Sequence, residues 1–84
     1  MTNNYAVLIP TYNNEKTLSR VLDGVLSYTP HVIVVNDGST DSTAAILSGY
    51  PQVEVVTFPK NKGKGKALQE GFQVARAKGY PYVL

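Results

Sequence analysis

The sequence predicts a three-layer α/β fold on an open, mostly parallel sheet of the Rossmann-like kind. Two observations carry this. Short runs of aliphatic and β-branched residues alternate with longer segments whose apolar residues repeat at helical spacing, giving the order β-α-β-α-β-α-β. The run Val32-Ile33-Val34-Val35 is apolar on both faces until it stops at Asn36-Asp37-Gly38-Ser39-Thr40-Asp41, as a strand between two helical layers reads. At 84 residues the chain is one domain at most, and it is read as residues 1–84 of a single partial domain.

The elements follow in order. Tyr5-Ala6-Val7-Leu8-Ile9 reads as a strand stopped by Pro10. Leu18, Val21, Leu22, Val25 and Leu26 then fall on one helix face, with Asn13 or Asn14 as N-cap and Tyr28-Thr29-Pro30 as the stop. After the Val32–Val35 strand, a short helix covers roughly residues 41–47. Val53-Glu54-Val55-Val56 is the third strand, and its Glu54 suits a sheet edge. Lys64 to Lys78 is the third helix, with Ala67, Leu68, Gly71, Phe72 and Ala75 as its buried stripe. Tyr82-Val83-Leu84 opens another strand with no polar stop, so the chain reads as the N-terminal piece of a longer protein with an open, self-associating sheet edge. The helix ends rhyme as Ser27-Tyr28-Thr29-Pro30, Gly49-Tyr50-Pro51 and Gly79-Tyr80-Pro81, three copies of one stop signal.

Composition narrows the function classes. The 43% hydrophobic and 17% charged residues are those of a soluble globular chain, and no segment is long and apolar enough to span a bilayer. There is no cysteine and one histidine, His31, which excludes disulfide frameworks, thiolate metal sites and His-rich clusters. A net charge of +2 does not argue for nucleic acid, and the lysines lack interleaved aromatics. Met1-Thr2-Asn3-Asn4 is polar and uncharged, not the basic start of a signal peptide, so a reducing, cytosolic location is the default expectation.

Ligands of open parallel sheets bind outside the carboxyl ends of the strands. The three loops there are Pro10-Thr11-Tyr12-Asn13-Asn14-Glu15, Asn36-Asp37-Gly38-Ser39-Thr40 and Lys60-Asn61-Lys62-Gly63-Lys64-Gly65-Lys66. In the first, Tyr12 can stack on a base or ribose, with Asn14 or Glu15 bonding its polar edges. The competing reading makes Pro10 a loop former and the asparagines caps. In the second, Asp37 can accept hydrogen bonds from a nucleobase or ribose, and Gly38 would let a ligand approach the backbone. The competing reading is a plain turn with Ser39 or Asp41 capping the next helix. The third loop holds four of the eight basic residues, spaced by glycine. It reads equally as a pyrophosphate cradle and as a solvated lysine loop, and it lacks the spacing of a Walker loop. His31 falls on the opposite rim and reads as structural.

Taken in order, Val7-Leu8-Ile9-Pro10-Thr11-Tyr12-Asn13-Asn14-Glu15, then Val34-Val35-Asn36-Asp37-Gly38-Ser39-Thr40-Asp41, then Asn61-Lys62-Gly63-Lys64-Gly65-Lys66-Ala67 resemble the start of the family 2 inverting glycosyltransferases, in look nearest to the dolichol- or polyprenyl-phosphate sugar transferases. The resemblance implies the nucleotide-binding half of a GT-A fold. It points to Pro10, Tyr12 and either Asn14 or Glu15 as nucleotide contacts, to Asp37 with Gly38 at the base, and to Lys62, Gly63, Gly65 and Lys66 along the nucleotide-sugar site. It gives Asn36 no ligand role. It implies a parent enzyme of glycolipid or cell-envelope polysaccharide synthesis that transfers a sugar, with inversion, from a UDP- or GDP-linked donor to an acceptor such as a polyprenyl phosphate. That parent would act in the cytoplasm or at the inner face of the membrane. The divalent cation, Mg2+ or Mn2+, would bind an Asp-x-Asp motif beyond Leu84, so this chain alone is expected to be inactive. The alternative is a non-catalytic Rossmann-like module that binds a nucleotide or a protein.

Overall fold

The computed structural model describes residues 5–84. Met1–Asn4, read above as no signal segment, lies outside the described residues. Seven elements follow the expected order: β1 (Tyr5–Thr11), α1 (Leu18–Leu26), β2 (Val32–Asp37), α2 (Thr43–Leu47), β3 (Glu54–Phe58), α3 (Lys64–Ala77) and β4 (Tyr82–Val83). All pairings are parallel and the strand order is β3-β2-β1-β4, which puts the Glu54 strand at an edge as its sequence indicates. Parallel strands send the chain back through a helix each time, so every β-to-α loop emerges on one rim.

Helices cover both sheet faces. On one side Leu18 and Leu22 of α1 and Leu47 of α2 pack with Val32, Val34 and Val53. On the other, Ala67 and Ala75 of α3 pack with Ala6, Leu8, Ile33, Val35 and Phe58. β2 lies between these two cores, and all six of its residues are buried. The strand therefore runs two residues past the apolar stretch and carries Asn36 and Asp37 into the sheet, in register with Thr57 and Phe58.

Pro10 does not stop β1, which pairs with β2 as far as Thr11. The reason is the alternation of backbone groups. Val7 donates to His31 beside β2, whereas Leu8 donates to Leu84 at 2.8 Å and Ala6 accepts from Leu84 at 2.9 Å on the β4 side. Pro10 belongs to the second set, so its missing N–H costs the β1–β2 ladder nothing.

Other boundaries move for local reasons. α1 begins at Leu18 with Thr17 as N-cap; Asn13 is tied to the loop after β2, and Asn14 stands one turn ahead, its carbonyl accepting the Leu18 N–H at 3.0 Å. Phe72 is 50% exposed and not part of the buried stripe. At 3.6 residues per turn it sits about 100° round from Gly71, which faces the sheet so closely that a Cβ there would lie 2.3 Å from Leu8 Cδ1. Val21, 38% exposed, is displaced by the same angle from buried Leu22. The helix stops are not three copies of one turn. The Tyr28 and Tyr50 N–H groups reach back three residues, to Val25 and Leu47, while Tyr80 reaches back five, to Ala75. On that opposite rim His31 Nδ1 and the Tyr80 hydroxyl share a 2.7 Å hydrogen bond, a structural place as read from the sequence.

Leu22→Ala should cost ~2–5 kcal/mol in urea unfolding, since it opens a cavity in a fully buried site. Phe72→Ala should change stability by less than ~1 kcal/mol, the reverse of what its apolar character suggests.

Candidate functional site

The first two rim loops are joined by backbone-to-side-chain hydrogen bonds. Asn13 adopts φ +48°, a conformation asparagine tolerates. Its N–H donates to Ser39 Oγ at 2.9 Å, and its Oδ1 accepts from the Thr40 and Asp41 N–H groups at 2.7 and 3.3 Å. The Asn14 N–H donates to Thr43 Oγ1 at 3.1 Å. Glu15 N–H donates to Asp41 Oδ2 at 3.2 Å, and Glu15 Oε1 accepts from Ser42 N–H at 2.9 Å. Glu15 and the Asn14 N–H therefore act on the neighbouring loop, whereas the Asn14 side chain accepts the Thr17 hydroxyl and its carbonyl accepts the Leu18 N–H at the start of α1. Ser39 receives Asn13 and caps no helix, and α2 begins at Thr43, whose N–H donates to Asp41 Oδ1 at 2.9 Å. Buried Asn36 accepts the Ser39 N–H and is structural.

The second and third loops are joined by Asp37. This carboxylate is 3% exposed. Oδ1 accepts from the Lys62 N–H at 2.7 Å, and Oδ2 accepts from the Gly63 N–H at 3.0 Å and from Asn61 Nδ2 at 3.1 Å. Asn61 Nδ2 also donates to the Asp37 carbonyl oxygen at 3.2 Å. Next to it, Gly38 has φ +72°, and a Cβ there would lie 2.3 Å from Asn61 N and from the Lys60 carbonyl carbon. The close approach that Gly38 allows is thus filled by the protein's own third loop, not left open to a ligand. Gly63, at φ +95°, turns the chain into α3.

Between these loops lies a cavity of about 450 Å³ lined by Pro10, Thr11, Tyr12, Asp37, Asn61, Gly63 and Lys64. Tyr12, half exposed, offers an aromatic face at its mouth. Of the residues expected at a nucleotide, Pro10, Tyr12, Asp37 and Gly63 meet here. Asn14, Glu15, Gly38, Lys62, Gly65 and Lys66 do not line the cavity. Lys62 Nζ sits 4.7 Å from the Phe58 ring centroid, a cation–π contact. Lys64, Gly65 and Lys66 belong to the first turn of α3, not to a loop. That turn carries no acid, and two lysines at the positive end of a helix are each unfavourable by ~0.3–1 kcal/mol, so the end favours a bound anion.

Sequence reasoning passed over three residues. Asn61 seats the third loop on Asp37, and the only hint was its place before a glycine-lysine repeat. Asn13 ties the first loop to the second, where only a cap was expected. Thr11 is 5% exposed, and its Oγ1 is the buried side-chain polar atom without a partner among the described residues. Nothing in its sequence context marks it.

Comparisons with known proteins give the family. The family profile described as Glycosyl transferase family 2 matches residues 6–84. A dolichyl-phosphate beta-glucosyltransferase of Trichomonas vaginalis is 39% identical over 79 residues, covering 76% of this chain and 23% of that protein. The Homo sapiens dolichyl-phosphate beta-glucosyltransferase is 38% identical over 92 residues, covering 89% of this chain and 28% of its own length. The Drosophila melanogaster one is 34% identical over 90 residues, covering 87% and 28%. The chain thus spans about a quarter of the length of the curated relatives it matches.

Gly38→Ala combines a left-handed backbone with overlap against backbone atoms, and should cost ~2–5 kcal/mol by urea unfolding. Asp41 supplies a pH test. The Thr43 hydroxyl above all holds its carboxyl below the ordinary 3.8; desolvation, next in size, opposes it, and the N–H groups of Thr43 and Glu15 add to the lowering. A carboxyl lowered on folding stabilises the fold above its ordinary value, and that stability is lost as pH falls through the folded value. The urea midpoint of the wild type should therefore drop more steeply below about pH 4 than that of Asp41→Asn.

Proposed function

The chain belongs to glycosyl transferase family 2, and on that premise we propose that it forms the donor-nucleotide side of an enzyme that moves a sugar from a nucleoside-diphosphate sugar to a polyprenyl-phosphate acceptor with inversion. The observation that carries the reading is the rim cavity. It sets an aromatic face, Tyr12, beside a fixed hydrogen-bond acceptor, Asp37, and opens on the N-terminal end of α3 with Gly63 and Lys64. An aromatic face and a carboxylate suit a UDP or GDP base and ribose. A helix N-terminus with lysines suits the diphosphate, whose charge offsets the lysine–dipole repulsion. The acceptor class follows from the relatives, whose names specify dolichyl phosphate.

In the proposed reaction an acceptor phosphate oxygen attacks the anomeric carbon from the face opposite the diphosphate. The bond from that carbon to the diphosphate oxygen breaks, and the nucleoside diphosphate leaves with the electron pair. The part of this chain is to bind the base and steady the departing negative charge. It is assigned no base or nucleophile, and alone it is proposed to be inactive. The described residues hold no group of three or more His, Asp or Glu side chains that could bind a metal ion, so the implied Mg2+ or Mn2+ does not fit here, and the reading puts its ligands beyond Leu84. No helix of the described residues is long and apolar enough to cross a membrane, so a place at its cytoplasmic face is proposed from the lipid acceptor alone. β4 is paired on one side, and self-association of the chain through that edge belongs to the same proposal.

Titration of the chain with UDP and with GDP, followed by backbone amide NMR, tests the reading. Shifts should cluster at Tyr12, Asp37-Gly38 and Gly63-Lys64-Gly65. Tyr12→Ala should weaken binding about 5- to 150-fold, the worth of ~1–3 kcal/mol of stacking, with the urea midpoint little changed. Asp37→Ala is a poorer probe because it also releases the third loop. Shifts scattered over the molecule, or equal affinity in Tyr12→Ala, would overturn the proposal.

A further inference from the structure

The two carboxylate oxygens of Asp37 are unequally used. Each can accept two hydrogen bonds. Oδ2 takes two, from the Gly63 N–H at 3.0 Å and from Asn61 Nδ2 at 3.1 Å. Oδ1 takes one, from the Lys62 N–H at 2.7 Å. Among the described residues one acceptor position therefore remains, and it lies on Oδ1 of a residue that lines the cavity.

We infer that Asn61 is a positioning residue for this site. Its amide fills the second position on Oδ2, and through the 3.2 Å bond to the Asp37 carbonyl oxygen it ties the carboxylate to its own backbone. The terminal torsion of an aspartate is broad, so a carboxylate with vacant positions on both oxygens can rock and offer either to a ligand. With Oδ2 saturated, the free position is confined to Oδ1. The same residue is the seat of the third loop. Its backbone N occupies the space over Gly38, so the acceptor and the entry to α3 are held as one unit. Asn61 is itself exposed, so water can replace its hydrogen bonds when the side chain is cut back. Its loss should therefore disturb orientation more than stability.

The inference rests on the nucleotide reading above, and its test separates the two. Asn61→Ala removes the donor. Asn61→Asp keeps the shape, removes the donor and sets a second carboxylate against the first. Without nucleotide, both variants should move the Asp37 side-chain carboxyl carbon resonance and the Gly63 amide proton resonance, while the urea midpoint of Asn61→Ala stays close to wild type and that of Asn61→Asp falls through carboxylate repulsion. With UDP or GDP, whichever the wild type binds, affinity should fall about three- to tenfold in Asn61→Ala and further in Asn61→Asp. Unchanged Asp37 and Gly63 resonances, or wild-type affinity in Asn61→Asp, would remove the positioning role and leave the nucleotide reading standing. A wild-type chain that binds neither nucleotide would remove the nucleotide reading and this inference with it, even if the resonances move.

Discussion

The carboxylate of Asp37 is the joint on which the candidate site depends. It stands at the last position of β2, buried, and takes two backbone N–H groups from the entry of α3. Those N–H groups belong to the turn before a helix, where donors have no intrahelical partner. A buried carboxylate needs hydrogen bonds, and an entering helix needs acceptors. The contact satisfies both, and it fixes the place of the third loop against the second. The glycine after it is required by the same contact, since a side chain there would strike the loop that the carboxylate holds.

The other side of the cavity is built by similar means. Asn13, Asn14 and Glu15 exchange hydrogen bonds with Ser39, Thr40, Asp41, Ser42 and Thr43, so the first loop is fixed to the second. Both joints use side chains that sequence reasoning assigned to a ligand. Pro10, Tyr12, Asp37 and Gly63 keep a place on the cavity wall, and the polar residues around them make the wall rigid. For a site that must recognise a polar ligand, rigidity of the acceptor has value in itself, because orientation need not be purchased from binding energy.

The parts of the fold that rest on periodicity were legible in the sequence. The order of elements, the edge position of the Glu54 strand and the burial of Val32 to Val35 follow from which residues are apolar and at what spacing. What was not legible depends on partners distant in sequence. Pro10 looks like a strand stop until one knows that its backbone faces the β4 side. Phe72 looks buried until Gly71 is seen to set the face of α3. Ser39 and Asn13 look like caps because a cap is the local use of such residues, and only the parallel sheet brings them together across 26 positions. Gly38 was read as room for a ligand, yet nothing short of the fold shows that residues 60 and 61 fill that room.

The placement of charge follows from the same joints. Away from the rim, Arg20, Arg76 and Lys78 are balanced by Asp23, Glu54 and Glu70, and Lys78 pairs with Glu54 at 3.2 Å. The whole net charge of +2 therefore resides on the rim, where Lys16, Lys60, Lys62, Lys64 and Lys66 face Glu15, Asp37 and Asp41. Those three acids bond backbone N–H groups, and among the described residues none forms an ion pair with a rim lysine. Had the acids paired with the lysines, the rim would carry the same +2, but three of its five ammonium groups would be held against carboxylates. Because the acids bond backbone groups, the rim lysines have no carboxylate partner among the described residues, and Lys64 stands unpaired at the cavity wall. One set of hydrogen bonds thus makes the site rigid and leaves the rim lysines free of carboxylate partners.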